Sequence, residues 1–180
     1  MCIRDRNNIA PGLLFIIFSI SLVAQNSNVL PIDEETGLIT YQEVVEEEGT
    51  KKEYFNRSIG WINNFYKNPV DVTKTRDPES GIIKGIHRFK IKNTDEDGNT
   101  SDAGVVQYQF VLQFKDGRYR YTLDDFVLRQ GSKIPAEKWL NKSDAQSKSY
   151  LKQLDKFAQD WIKSLKEGMK PKVEKEDDNW

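Results

Sequence analysis

The sequence predicts an α+β domain of two layers, in which four or five antiparallel strands carry two helices on one face. The clearest strand runs from Val105 to Lys115, where apolar side chains alternate with glutamines. Asp116 and Gly117 follow it and form a dipeptide preferred in tight hairpins, so the next strand must be antiparallel. Two segments, 54–66 and 151–165, have apolar residues at helical spacing and supply the second layer.

The first 24 residues have the layout of a secretory signal peptide. Arg4 and Arg6 precede an apolar run from Leu13 to Val23 that ends at Ala24. The run is shorter than the roughly 17–25 residues of a membrane-crossing helix, which leaves an uncleaved anchor or a buried strand as the weaker alternatives. We therefore expect cleavage after Ala24 and export to the periplasm or the extracellular space.

Composition excludes several kinds of chemistry from the exported chain. Cys2 is the only cysteine and leaves with residues 1–24, which rules out disulfides, thiolate catalysis and cysteine-bound zinc. The same cleavage changes the formal charge from −1 to −2, so no overall attraction to polyanions remains. The predicted organisation is a signal peptide at 1–24, a leader at 25–36, the α+β domain at 37–168 and a disordered charged tail at 169–180.

The first strand and the first helix follow the leader. In the segment from Leu38 to Val45, Ile39 and Tyr41 share the parity of Val45, as a half-buried strand requires. The sequence from Thr50 to Glu53 then forms a capping box, which predicts the start of a helix. The apolar face of this helix consists of Tyr54, Phe55, Ile59, Trp61, Ile62, Phe65 and Tyr66.

A hairpin follows the first helix. Asn68-Pro69 ends the helix, and the segment from Val70 to Arg76 predicts a second strand. The turn from Asp77 to Gly81 connects it to a third strand from Ile82 to Lys92. The residues of this third strand that we expect to face the core are Ile83, His87, Phe89 and Ile91.

The last two predicted strands are joined by the Asp116-Gly117 turn. A polar loop from Asn93 to Ala103 precedes the strand from Val105 to Lys115, and the strand after the turn ends near Leu128. The residues expected to face inward are Val106, Tyr108, Phe110, Leu112, Phe114, Tyr119, Tyr121 and Leu123.

The second helix closes the domain. A linker through Pro135 leads to a capping box from Ser143 to Gln146, and Gly168 with Pro171 ends the helix. Its apolar face consists of Leu151, Leu154, Phe157, Ala158, Trp161, Ile162 and Leu165.

The four tryptophans fall into two groups. Trp61 and Trp161 lie on the apolar faces of the two helices, so we expect them in the core. Trp139 and Trp180 lie outside these faces, and they are either exposed contact residues or locally packed side chains.

Four segments carry a resemblance to a known family. These are Ile39 to Val45, Trp61 to Phe65, Ile83 to Gly85, and Lys115 to Leu123, which reads Lys-Asp-Gly-Arg-Tyr-Arg-Tyr-Thr-Leu. Together they resemble domain of unknown function 4468, a family of exported Bacteroidetes proteins with a TATA-binding-protein-like (TBP-like) fold. The resemblance implies a curved antiparallel sheet with helices on one face and the other face open. It implies no function, and the fold does not transfer DNA binding.

The sequence contains few candidate catalytic residues. His87 is the only histidine, and its core-facing parity is typical of a hydrogen-bonded structural residue. The sequence contains no nucleophile elbow, phosphate-binding loop or zinc-binding histidine pair. The carboxylates of Glu46 to Glu48 and of Asp124-Asp125 are available for glycoside hydrolysis, but adjacent carboxylates usually mark solvated turns. We therefore expect no catalytic residues.

One segment partly matches a calcium-binding loop. Asn93, Asp95 and Asp97, followed by Gly98, fit the first six positions of the EF-hand pattern. Gly104 stands where the bidentate glutamate belongs, and the segment joins two strands instead of two helices. We interpret it as an acidic hairpin loop and expect no metal.

Strand parity predicts a candidate binding surface on the sheet face opposite the helices. Arginine can hold a carboxylate with two hydrogen bonds, so such a surface suits an anionic glycan or an acidic protein segment. The alternative is that these long polar side chains only keep an open sheet face soluble. The candidate residues are Lys84, Arg88, Lys90, Gln107, Gln109, Gln113, Arg118 and Arg120.

The sequence thus favours an exported, non-catalytic binding or interaction module that uses the open, basic face of its sheet. A carboxylate-based hydrolase of the cell envelope and a purely structural envelope protein are the alternatives. The expected partner is an envelope ligand or protein. We expect no nucleic acid, no cofactor and no membrane span after removal of the signal peptide.

Overall fold

Six antiparallel strands form one sheet in the computed structural model, which describes residues 30–95 and 97–171. The strand order is β1-β5-β4-β3-β2, and β6 pairs with the far end of β5. Helices α1 and α3 cover one face, so the predicted two-layer α+β fold is confirmed. The elements are β1 (Tyr41–Glu46), α1 (Lys51–Phe65), the short α2 (Pro69–Val72), β2 (Thr73–Asp77), β3 (Ile82–Thr94), β4 (Thr100–Lys115), β5 (Arg118–Gln130), β6 (Ser132–Pro135), a 3-10 turn (Ala136–Trp139) and α3 (Ala145–Met169).

The centre of the sheet is a meander of three long strands. The Asp116-Gly117 hairpin places Lys115 opposite Arg118, and Gly117 has a φ of +75°, a conformation that favours glycine. The β3–β4 loop is shorter than predicted, because β3 continues to Thr94 and β4 begins at Thr100. The eight inward-facing residues predicted for β4 and β5 are all buried, so the strand pattern is confirmed.

The core between sheet and helices is largely aromatic. Trp161 donates from Nε1 to the hydroxyl of Tyr66 at 2.8 Å, and the Tyr66 and Tyr108 hydroxyls are 3.1 Å apart. These groups are buried, so each polar atom finds a partner within the core. The rings of Phe89 and Phe157 stack at 4.0 Å and attach α3 to β3.

The two long helices, α1 and α3, each begin at a side-chain cap, but only the cap of α1 is where the sequence predicts it. Thr50 and Glu53 form the expected capping box of α1. In α3 the cap is Asp144 and not Ser143, because the Asp144 carboxylate accepts a hydrogen bond from the Ser147 amide at 2.8 Å. Aspartate is as strong an N-cap as serine, so the start moves by one residue.

Gly168 lies inside α3 and does not end it. A Cβ atom at this position would be 2.6 Å from Cδ1 of Trp61, so glycine permits the close approach of α1 and α3. The Trp61 Nε1 also donates to Ser164 at 3.0 Å, one turn earlier on α3. Both Trp61 and Trp161 are buried, as predicted.

Two other segments differ from the sequence prediction. The predicted strand from Val70 to Arg76 is a helical turn up to Val72, because Pro69 is pre-organised for the first position of a helix. The predicted linker through Pro135 contains β6, and it leads into the 3-10 turn that ends at Trp139. Trp139 packs against Tyr150 and is buried, so of the two alternatives it is the locally packed side chain and not an exposed contact residue.

The leader joins the domain through a small bridge. Ile32 pairs with Ile39, which is itself fully buried, and Ile39 donates its amide to Glu137. The predicted signal peptide at 1–24, the start of the leader and the tail from Lys172 onward, including Trp180, lie outside the described residues. In the described part of the chain, no helix has the length and apolar character needed to cross a membrane.

Candidate binding face

The sheet face that carries no helix, called the open face below, contains all eight residues predicted from strand parity. The side chains of Lys84, Arg88 and Lys90 lie there on β3, beside the three glutamines of β4. Arg118 and Arg120 lie on β5 on the other side of β4. The five basic side chains are exposed, whereas the glutamines are half-buried.

Each of the three glutamines is held by a side chain of β5. Gln113 accepts two hydrogen bonds from Arg120, at 2.9 Å from Nε and 2.5 Å from Nη2. Gln107 accepts from Nη2 of Arg129 at 2.9 Å. Gln109 donates to the carboxylate of Asp125 at 2.5 Å. These cross-strand bonds fix two guanidinium groups on the open face before any ligand arrives.

Arg129 is a member of this face that the sequence pattern missed. One extra residue in β5, between the pairs Gln107–Val127 and Gln109–Asp124, forms a β-bulge. A bulge shifts every later side chain to the opposite parity, so Arg129 joins Arg120 on the open face. The signal was present in the sequence, since the buried apolar residues of β5 change from odd positions, ending at Leu123, to even positions, starting at Phe126.

The basic side chains of the open face have no acidic partners within the described residues. The ion pairs found there, with nitrogen and oxygen within 4.0 Å, all involve lysines of α3 or the residue after it. Glu46 is opposite Arg118 in the β1–β5 register but makes no ion pair with it. No ion pair within the described residues therefore neutralises the charges of the open-face cations.

The open face is not basic throughout. Asp124 and Asp125 are half-buried at the bulge in the middle of β5, so this carboxylate pair does not mark a solvated turn. Burial, followed by the charge of Asp125, raises the pKa of Asp124 above its usual value. Asp125 has a φ of +50°, which is rare for a residue with a side chain. The cations thus lie on either side of a central acidic pair.

A shallow cavity lies at the hairpin end of the open face. It has a volume of about 360 Å³, and Val44 and Ile82 supply its apolar surface. Lys115, Arg118 and Arg120 supply three positive charges around it. Val44 is half exposed, which is unusual for a valine in a strand that pairs with β5. This arrangement suits an anionic group attached to an apolar stem.

A second cavity, of about 460 Å³, lies where β2 begins beside β3. Its lining includes Asp71, Lys74, Arg88 and His87. The His87 ring packs against Tyr66 at 4.8 Å between ring centres, and no hydrogen bond to it is found among the described residues. Burial, followed by the charge of Arg88, lowers the pKa of His87, so the imidazole is neutral at pH 7.

The segment that partly matches a calcium loop is held together by its own hydrogen bonds. Asp95 accepts from the amide of Asn99 at 2.7 Å and from the side chain of the same residue at 3.1 Å. Asn93 is turned toward α3, where it accepts hydrogen bonds from Tyr150 and Gln146. The described residues contain no cluster of three or more metal-ligating side chains.

Comparison with known proteins gives a family and a fold. The protein-family model described as "Domain of unknown function (DUF4468) with TBP-like fold" matches residues 41–129. No curated protein matches the chain. The chain is similar to a TBP-like protein from Parabacteroides distasonis, with a TM-score of 0.65 and 18% identity over 78% of this chain and 96% of that one. It is also similar to a DUF4468 family protein from Bacteroides ovatus, with a TM-score of 0.64 and 17% identity over 81% and 93% of the two chains. The chain therefore carries a DUF4468 domain with a TBP-like fold, as the sequence resemblance predicts.

Proposed function

We propose that this domain is an exported, non-catalytic binding module that holds an anionic partner against its open face. The observation that supports the proposal most strongly is the set of exposed cations without acidic partners in the described part of the chain. Export rests on the signal-peptide pattern of residues 1–24. The partner is an anionic glycan or an acidic protein segment.

Arg120 illustrates why this face suits carboxylates or sulfates. It uses Nε and Nη2 to reach Gln113, and its Nη1 donates no hydrogen bond to the described residues. Charge-assisted hydrogen bonds from a fixed guanidinium are shorter and stronger than neutral ones. A group positioned in advance also loses less side-chain entropy when the ligand binds.

The charge distribution favours binding over a purely solubilising role. The exposed lysines of α3 alternate with Asp155, Asp160 and Glu167 along the helix. Lys156 pairs with Asp160 and Lys170 with Glu167, whereas Lys148, Lys152 and Lys163 make no ion pair among the described residues. The β3 and β5 cations of the open face have none among the described residues. Solubility requires charge but does not require like charges to be collected on one surface.

The test is a charge reversal with a matched control. The double variant Arg88→Glu and Arg120→Glu should lose capture of immobilised polygalacturonate or poly-L-glutamate by about 100-fold, because a hydrogen bond to a charged group contributes about 1.5–3 kcal/mol. The control, Lys148→Glu with Lys152→Glu, makes the same charge change at two exposed positions of α3 and should bind normally. Unchanged capture by the Arg88 and Arg120 double variant, with circular dichroism confirming its fold, would remove the proposal.

A further inference from the structure

The outer edge of β3 is only partly paired. β3 has 13 residues, and β2 pairs with only the first four, from Ile82 to Gly85. β4 pairs along the whole length of the opposite edge. Beyond Gly85, β3 is therefore an edge strand of the sheet.

Hydrogen bonds at its two ends show which residues direct their main chain toward this edge. At the start, the carbonyl of Gly81 accepts from the Phe114 amide at 2.8 Å. The main-chain N–H and C=O groups of the odd-numbered residues of β3 therefore point toward β4, and those of the even-numbered residues point toward the outer edge. At the far end, the amide and carbonyl of Lys92 face α3 instead. Main-chain groups alternate along a strand, and β3 itself has no extra residue, so Arg88 and Lys90 also direct N–H and C=O groups to the outer edge.

The chain already fills one place on this edge with a peptide-like group. The side-chain amide of Gln153 accepts from the Lys92 N–H at 2.9 Å and donates to the Lys92 carbonyl at 2.9 Å. One acceptor and one donor in this arrangement reproduce the bonds of a neighbouring antiparallel strand. No described side chain makes such bonds to the main chain of Arg88 or Lys90. The edge between β2 and Gln153 is the part left without a partner.

The unpaired part of the β3 edge has the length of one added strand and space beside it. Residues 86–91 span about 20 Å at about 3.3 Å per residue, close to the usual length of a strand. The cavity of about 460 Å³ at the start of β2 leaves room for the segment, and its charged lining consists of Lys74, Arg88 and Asp71. Lys90 is exposed further along the same edge.

We infer that an extended acidic peptide segment of a partner protein adds to the sheet as a strand beside Arg88 and Lys90. Main-chain hydrogen bonds to β3 would supply affinity, and acidic side chains on the open-face side of the added strand would meet the two cations. This inference rests on the proposed function, since it names the class of partner and the way it binds. It goes further because it requires main-chain pairing and not charge alone.

The charges on the edge select an acidic peptide over a second copy of this chain. Antiparallel pairing of two such edges would place Arg88 and Lys90 opposite the same residues of the other copy. Like charges directly opposite each other destabilise a sheet, whereas opposite charges stabilise it. Sedimentation should therefore show a monomer, and a dimer that the substitution Lys90→Pro disrupts, by removing an outward main-chain donor, would overturn the proposed occupant.

The first experiment uses the unaltered protein and two peptides. One is a peptide of about ten residues that alternates glutamate with valine and threonine, and the other has the same sequence with every second amide N-methylated on the edge that pairs. N-methylation keeps all charges but removes the donors needed for pairing, so binding should weaken by about tenfold or more. Equal affinities, or no binding of the first peptide, would overturn strand addition. In either case, capture of polygalacturonate would still support the open-face proposal.

The second experiment compares two substitutions at one position. Lys90→Gln removes the charge, and Lys90→Pro removes the charge together with the outward N–H, while the bonds between β3 and β4 are kept. The proline variant should bind the first peptide about tenfold more weakly than the glutamine variant. Equal binding by two folded variants would contradict the inference. If the proline variant fails to fold, as judged by circular dichroism, the N-methylated peptide decides the question.

Discussion

The two faces of the sheet are built from alternate residues of the same strands, yet they satisfy their polar groups in different ways. On the helix-covered face, hydroxyl groups bond across layers, as Tyr66 at the end of α1 does to Tyr108 of β4. On the open face, side chains bond across strands, as Arg120 does to Gln113. The first kind of bond fixes how the helices sit on the sheet. The second kind leaves an exposed, ordered surface that the fold itself does not require.

The carboxylates on the two faces also have different surroundings. Glu43, at the edge of the covered face, accepts from Lys166 at 2.6 Å and from the Tyr121 hydroxyl at 2.5 Å. Asp124, on the open face, has a carboxylate neighbour and no cationic partner among the described residues. One environment favours ionisation and the other opposes it, so the open face carries a cost in stability that the covered face does not.

The largest expected effect compares neighbours that point to opposite faces. Leu112→Ala opens a cavity at a fully buried site and should lower the free energy of unfolding by about 2–5 kcal/mol. Val111→Ala, on the half-buried open face, should cost only about 1 kcal/mol. Urea unfolding measures both. Equal losses would mean that the open face is covered in solution.

A smaller loss is expected where a glycine makes room for the core. Gly85→Ala would place a Cβ atom 2.2 Å from Cζ of Phe110, so the ring must move, at a cost of about 1–3 kcal/mol. Adding Phe110→Leu should recover part of the loss in a double-mutant cycle, because the smaller side chain gives way. The neighbouring exposed substitution Lys84→Ala is the control and should change stability little. Additive effects of the two changes would contradict this contact.

The pH dependence of stability should have opposite signs for the two carboxylates. Burial raises the pKa of Glu43, but the hydrogen bonds from Lys166 and Tyr121 outweigh burial and hold the pKa below its usual 4.5. Its stabilisation is therefore complete above about pH 4.5 and is lost as the pH falls through the lower folded-state value. Asp124, whose pKa is raised above 3.8, destabilises the fold when ionised, and this effect fades as the pH falls.

Two neutral variants test these signs. Glu43→Gln should lower the free energy of unfolding at pH 7, and Asp124→Asn should raise it. Both differences should shrink toward pH 3, measured by urea unfolding at the two pH values. A stabilising effect of Glu43→Gln at pH 7 would show that the ion pair does not offset its desolvation.

The smallest expected effect is a gain in stability from a substitution in α1. Gly60 lies inside α1, and a Cβ atom there would meet nothing within 4 Å, so Gly60→Ala should stabilise the domain by up to about 1 kcal/mol. Gly168→Ala makes the same change in α3 but should destabilise, because Trp61 occupies the space. Thermal unfolding of the two variants gives the comparison. A gain at both positions would mean that α3 can move away from Trp61 at little cost.

The sequence predicts the structure best in strands that have one buried face and one face toward solvent. The alternation from Val106 to Phe114 needs no knowledge of the partner strands, since burial on one side is enough to produce it. The capping box at Thr50 is equally local. The strand β6, by contrast, is short and polar and depends on pairing with β5, so its own residues give no strand pattern.

The candidate site was predicted in position but not in connectivity. All eight residues lie on the open face, yet the pairing of Gln109 with Asp125 and of Gln107 with Arg129 depends on the register between β4 and β5. Register is a property of two strands, and a pattern within one strand does not contain it. The bulge at Asp125 also hid Arg129, because parity counted from Arg120 places it among the buried residues.

The extra residue at the Asp125 bulge reverses which face of the sheet each later side chain of β5 occupies. A chain that lost this one residue would keep almost the same composition, yet Phe126 and Leu128 would turn toward water while Val127 and Arg129 moved beneath the helices. An insertion at the same place would do likewise. The last third of β5 should therefore accept many replacements of its outward side chains but no change in the number of residues.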